Sequence, residues 1–94
     1  MPKPLDFAQV EVLRKHLLIS VATMAGVMGV SRMTYYKWVT GQAAIRPRKE
    51  VLVRAQIIKL LSLITDHEWP TPEVRGLEPS ARSTRLLALL SEYQ

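Results

Sequence analysis

Apolar residues recur at helical spacing along nearly the whole chain, and no stretch shows the alternation of a half-buried strand. Phe7, Val10, Leu13 and Leu17 form one stripe, and Asp6 followed by Gln9 has the form of a capping box. Together they predict a first helix ending near Leu18. Ser20 is placed to cap a second helix over 21–28, and Ser31 a third over 32–40. Residues 42–46 read as a loop. Pro47 suits the first turn of a fourth helix, where its missing N–H costs nothing, and Glu50 sits well against the helix dipole.

The fourth helix meets no breaker before Trp69-Pro70. About twenty residues make it ~30 Å long. Val51, Leu52, Val53, Ile57, Ile58, Leu60, Leu61, Leu63 and Ile64 point nearly all round its axis, leaving Lys49, Gln56, Lys59, Ser62 and Asp66 as a narrow polar stripe. A helix apolar on most sides must be covered on most sides. Three short helices cover one face, so something else must cover the other.

Residues 69–79 hold three prolines and a glycine and read as a linker or turn-rich crossover. Ser80 is expected to cap a last helix carrying Leu86, Leu89, Leu90 and Tyr93 at i, i+3, i+4 and i+7. Residues 1–4 read as a loose tail. No internal repeat is visible. The expected fold is all-α with about five helices.

Within this pattern, residues 20–41 form a helix-turn-helix. Ala25 stands where two helices cross and only a small side chain fits. Gly29 stands four residues later, where the chain must turn and a residue without Cβ enters left-handed conformations freely. Val30, Tyr35 and Trp38 recur on what would be the inner face of the second of these helices. Gly41 lies just past its end, as a C′ glycine does. Such a unit braces one helix so that the other can project into a major groove.

Charge sharpens this picture. The chain has 94 residues and a formal net charge of +5. Residues 1–48 carry seven basic and two acidic side chains, whereas residues 49–94 carry six of each, so the whole excess lies on the helix-turn-helix half. A basic field around a projecting helix suits a polyanion.

Other chemistry is thinly represented. There is no cysteine, which excludes disulfides and thiolate metal sites and suits a reducing cytoplasm. The opening, MPKPLDF, is too polar for a signal peptide. The most apolar stretch, 51–64, is interrupted by Arg54, Gln56 and Lys59 and is not expected to span a membrane. Asp66, His67 and Glu68 are consecutive and do not share a helix face, so no metal is expected there. No nucleophile–base arrangement or phosphate-cradling glycine loop is evident. Neither an enzyme nor a cofactor is expected.

On these residues the chain resembles the lambda-repressor and Cro-like (XRE-type) helix-turn-helix family. The residues that carry the likeness are Ala25, Gly29-Val30-Ser31, Arg32, Thr34, Lys37-Trp38, Gly41 and the proline flanked by Arg46 and Arg48, all within residues 10–48. The resemblance implies a dimeric regulator of transcription, of a kind frequent in phages and mobile elements, on a palindromic DNA operator. By position it implies base contacts from Arg32, Met33, Tyr36 and Lys37. It implies phosphate contacts from Ser31, Thr34, Arg46, Arg48 and the start of the second helix. Val21 replaces a glutamine frequent in the family, and Gly26 and Val27 replace charged residues, so the second helix carries no charge. The long fourth helix and everything after Trp69 also depart from the simplest members.

Residues 1–48 are therefore expected to bind DNA, and 49–94 to extend the same domain with a helical dimerisation part. Leu61, Ile64, Leu86 and Leu90 are candidates for the seam. Repression by occupying a promoter is the leading expectation. Activation through a patch touching RNA polymerase is an alternative. So is a protein-interaction module, antitoxin-like or phage-encoded, that keeps the fold.

Overall fold

Local chemistry closes most helix ends in the computed structural model, which describes residues 5–93. Helix α1 (Phe7–Leu17) starts at Asp6, whose Oδ1 accepts from the Ala8 amide at 2.9 Å. It stops at Leu18 in the left-handed region, φ 61°. Helix α2 (Val21–Met28) is capped by Ser20 and ends on Gly29, φ 74°. Helix α3 (Arg32–Val39) is capped by Ser31 and ends on Thr40, followed by Gly41 at φ 78°. Helix α4 (Pro47–His67) starts on its proline and ends on Glu68, φ 53°.

The C-terminal part differs from expectation. Of the two readings of residues 69–79, the structure takes the turn-rich crossover and not the linker: Thr71 caps a single helical turn, α5 (Pro72–Arg75), which makes six helices among the described residues. Trp69 is a core residue, and its Nε1 donates to the Leu17 carbonyl at 2.8 Å. Helix α6 (Pro79–Leu90) begins one residue before Ser80, with Glu78 at the cap position and no side-chain cap bond. Proline at the first helical position sets φ for the helix and displaces the serine from the capping role. The expected loose tail, residues 1–4, lies outside the described residues.

One core joins both halves of the chain. Phe7, Leu17, Met24, Met28, Tyr35 and Trp38 from α1 to α3 meet Val53, Leu60, Leu63, Trp69, Val74 and Leu86. Phe7 and Trp38 rings lie 5.2 Å apart at a tilt of 35°. Arg82 of α6 fastens the C-terminal part by donating to the carbonyls of Leu18 (3.1 Å), Val74 (3.2 Å) and Leu77 (2.9 Å). Thr23 and Ser83 share a 2.8 Å hydrogen bond between α2 and α6. The Tyr93 hydroxyl donates to Asp66 at 2.7 Å.

Leu86, expected at a dimer seam, is fully buried inside the chain and is unavailable to a partner. Leu86, Leu89 and Leu90 share the face of α6 that packs into the core, while Leu87, about 100° round the helix, is exposed. Leu90 is half-buried against the same core, Ile64 is half-buried, and Leu61 is exposed.

Candidate nucleic-acid interface

Helices α2 and α3 are joined by the three residues Gly29, Val30 and Ser31. The turn is closed by backbone bonds from Gly29 N to the Gly26 carbonyl (3.1 Å) and from Val30 N to the Ala25 carbonyl (3.0 Å). A Cβ at residue 29 would be strained by the positive φ and would also come within 3.1 Å of the Lys49 ammonium. Ala25 is buried, as its crossing position requires, whereas Val30 is only half-buried.

Helix α3 is divided cleanly between two faces. Tyr35 and Trp38 enter the core, while Arg32, Met33, Tyr36 and Lys37 are exposed. Those four stand at i, i+1, i+4 and i+5, so they share one side of the helix. Met33 and Tyr36 are 68% and 52% exposed, a large apolar and aromatic surface left among cations. The exposed hydroxyl of Ser31 accepts from the Thr34 amide and donates to Thr34 Oγ1, each at 3.1 Å. Its proton is thus engaged in the cap, while the half-buried Thr34 hydroxyl keeps its own proton to donate.

Arg46 and Arg48 are exposed at the start of α4. Lys49, which the sequence pattern places in a solvated stripe, turns toward α2 instead. Its Nζ donates to the Gly29 carbonyl at 3.4 Å, tying the basic start of α4 to the turn before α3. The uncharged α2 therefore acquires a cation at its C-terminal end, where the helix dipole favours one.

Behind this face lies a polar network that sequence reasoning misses. The buried Tyr35 hydroxyl donates to Glu11 Oε1 at 2.7 Å. Arg14 grips the same carboxylate through Nε (2.8 Å) and Nη2 (3.0 Å), and its Nη1 donates to the Ile19 carbonyl at 2.9 Å. The Arg14 hydrogen bonds hold the Glu11 carboxyl below its ordinary value against the opposing effect of burial, and Tyr35 adds to the lowering. Burial, then the bond to Glu11, pushes the Tyr35 phenol up. The network sets the roll of α3 against α1 and the entrance to α2. Only the Glu11/Arg14 spacing of i, i+3 was open to inspection in the sequence.

Asp66 is bonded to Tyr93, and His67 Nε2 lies 4.0 Å from Glu92. Among the described residues no group of three or more His, Cys, Asp or Glu could hold a metal ion, and no helix is long and apolar enough to cross a membrane. No protein-family model matches the chain, and no curated protein or solved structure matches it.

Proposed function

We propose that this protein is a sequence-specific DNA-binding regulator that acts by occupying its site. The observation that carries the reading is the outward face of α3. Two cations, a thioether and a phenol project together from a short helix whose opposite side is anchored in the core. Arginine and lysine can read guanine O6 and N7 in the major groove, and methionine or tyrosine can pack on a thymine methyl. Arg46, Arg48 and the Thr34 hydroxyl supply phosphate contacts that fix register. The excess charge of residues 1–48 drives association with the polyanion.

The mechanism needs no chemistry. A dimer presents two α3 helices to half-sites about one turn of DNA apart, ~34 Å, on a palindromic operator. Occupancy of a promoter by such a dimer excludes polymerase. Repression follows more directly than activation, because occupancy alone suffices for it, whereas activation needs a further contact to polymerase.

Selection of bound sites from a random DNA pool, followed by gel-shift titration at several salt concentrations, tests the reading. Arg32→Ala should weaken the preferred site by roughly 1–3 kcal/mol and relax preference at one base pair. An equal loss on all sequences would make Arg32 a phosphate contact. Failure to enrich any sequence would refute the DNA-binding reading in favour of a protein-interaction module.

A further inference from the structure

The helix-turn-helix unit lacks the side chains that read most base edges. Between Ser20 and Gly41 there is no Asn, Gln, Asp or Glu. In the major groove a carboxamide reads adenine through N6 and N7, and a carboxylate accepts from the cytosine amine. Neither group is available on α2 or α3. Hydroxyls do little to replace them. The Ser31 hydroxyl serves its cap, Thr40 Oγ1 donates to the Tyr36 carbonyl at 2.8 Å, and Thr34 is half-buried. What α3 turns outward is two cations, a thioether and a phenol.

At 100° per residue, Arg32, Tyr36, Met33 and Lys37 stand at about 0°, 40°, 100° and 140° round the helix. The cations hold the two edges of this arc, and the apolar pair holds its middle. Met33 and Tyr36 are three residues apart, so their side chains adjoin. At 68% and 52% exposure, neither is spent on the core. A helix lying in the major groove turns the middle of its outward arc to the groove floor. The apolar feature of that floor is the C5-methyl group of thymine. Covering a methyl group is favourable, whereas covering a hydrogen-bonding edge with a thioether leaves that edge unpaired at a cost.

We propose that Met33 and Tyr36 are specificity-determining residues that read the pyrimidine C5-methyl group, so that 5-methylcytosine·guanine serves in place of thymine·adenine at the base pairs they cover and unmodified cytosine·guanine does not. Thymine and 5-methylcytosine carry the same methyl at the same place in the groove. They differ in the neighbouring group, O4 in one and the N4 amine in the other, which a thioether and an aromatic ring do not distinguish by hydrogen bonding. Methylation of cytosine at such a position would therefore strengthen binding. The inference rests on the DNA-binding reading above and adds to it the group that is read and a means of regulation.

The test starts from the half-site enriched from a random DNA pool. Each thymine·adenine pair is replaced in turn by uracil·adenine, which removes only the methyl, by cytosine·guanine and by 5-methylcytosine·guanine. Affinities are measured by fluorescence anisotropy at one fixed salt concentration. Burial of one methyl group corresponds to about a 4-fold change in affinity. Uracil should weaken binding by about that factor at one or two positions, and there 5-methylcytosine should bind about 4-fold better than cytosine. Met33→Ala and Tyr36→Ala alter exposed side chains, so the helical circular dichroism should stay unchanged. Each should bring the thymine-to-uracil ratio near one at one of these positions, whereas Tyr36→Phe, which keeps the ring, should preserve it. The inference is overturned by an enriched half-site without thymine, by uracil without effect at every thymine, or by 5-methylcytosine no better than cytosine. A ratio that survives in both alanine variants overturns it as well. Each of these outcomes leaves the DNA-binding reading standing; failure to enrich any sequence overturns both.

Discussion

Removing the Tyr35 hydroxyl isolates the network behind the outward face of α3. In Tyr35→Phe the ring keeps its place, so no cavity opens, and the fully buried side chain loses only the 2.7 Å bond to Glu11. A hydrogen bond to a charged acceptor contributes about 1.5–3 kcal/mol net. The Arg14 and Glu11 side chains retain 16% and 20% exposure, which lets water replace part of the lost bond and favours the lower end. Glu11 also keeps both bonds from Arg14, so no carboxylate is orphaned. The expected cost is therefore ~1.5 kcal/mol. At a urea dependence of about 1 kcal/mol/M for a domain this small, the midpoint should fall by roughly 1.5 M. Combined with Glu11→Gln, the double variant should show a coupling energy near 1 kcal/mol, because the two groups share one bond. A midpoint shift under about 0.3 M, or additivity within about 0.3 kcal/mol, would show that the network does not hold α3.

Further outcomes follow from the same structure. Replacing the exposed Glu68, held at φ 53°, with glycine should stabilise the protein by about 1 kcal/mol, seen as a raised Tm, because glycine meets no penalty in the left-handed region. Arg46→Ala and Arg48→Ala should each reduce the log–log salt slope of DNA binding by about 0.9 while preserving sequence preference; an unchanged slope removes that side chain from the interface. The Glu11 carboxyl is lowered in the fold, so its contribution is present above the ordinary carboxylate value of 4.5 and is lost as pH falls through its depressed value. The Tyr35 phenol is raised, so its contribution is present below pH 10.0 and is lost at higher pH. Urea titrations of Glu11→Gln should therefore lose part of the acid limb, and those of Tyr35→Phe part of the alkaline limb.

The boundaries of α1 to α3 were legible in the sequence because their causes are local. Asp6, Ser20 and Ser31 reach amides two or three residues away, and Gly29 and Gly41 relieve a conformation imposed on single residues. The set Arg32, Met33, Tyr36 and Lys37 came from the family resemblance by position, and the structure leaves all four exposed, opposite the buried Tyr35 and Trp38. Burial on α4 and α6 was not legible. Leu63 is buried and Ile58 exposed, although both are large aliphatic residues on one helix that is apolar nearly all round. Periodicity cannot choose a face when every face is apolar; only what packs against it can. The same holds for Leu86, which α4 and α6 enclose, and for Trp69, whose indole finds its acceptor at Leu17, 52 residues earlier. Glu11 and Tyr35, like Lys49 and Gly29, are partners only after the chain has folded back. Sequence determined what each segment is, because caps and turns act within one helical turn; tertiary structure decided what each segment touches, because burial and long-range polar pairing depend on residues distant along the chain.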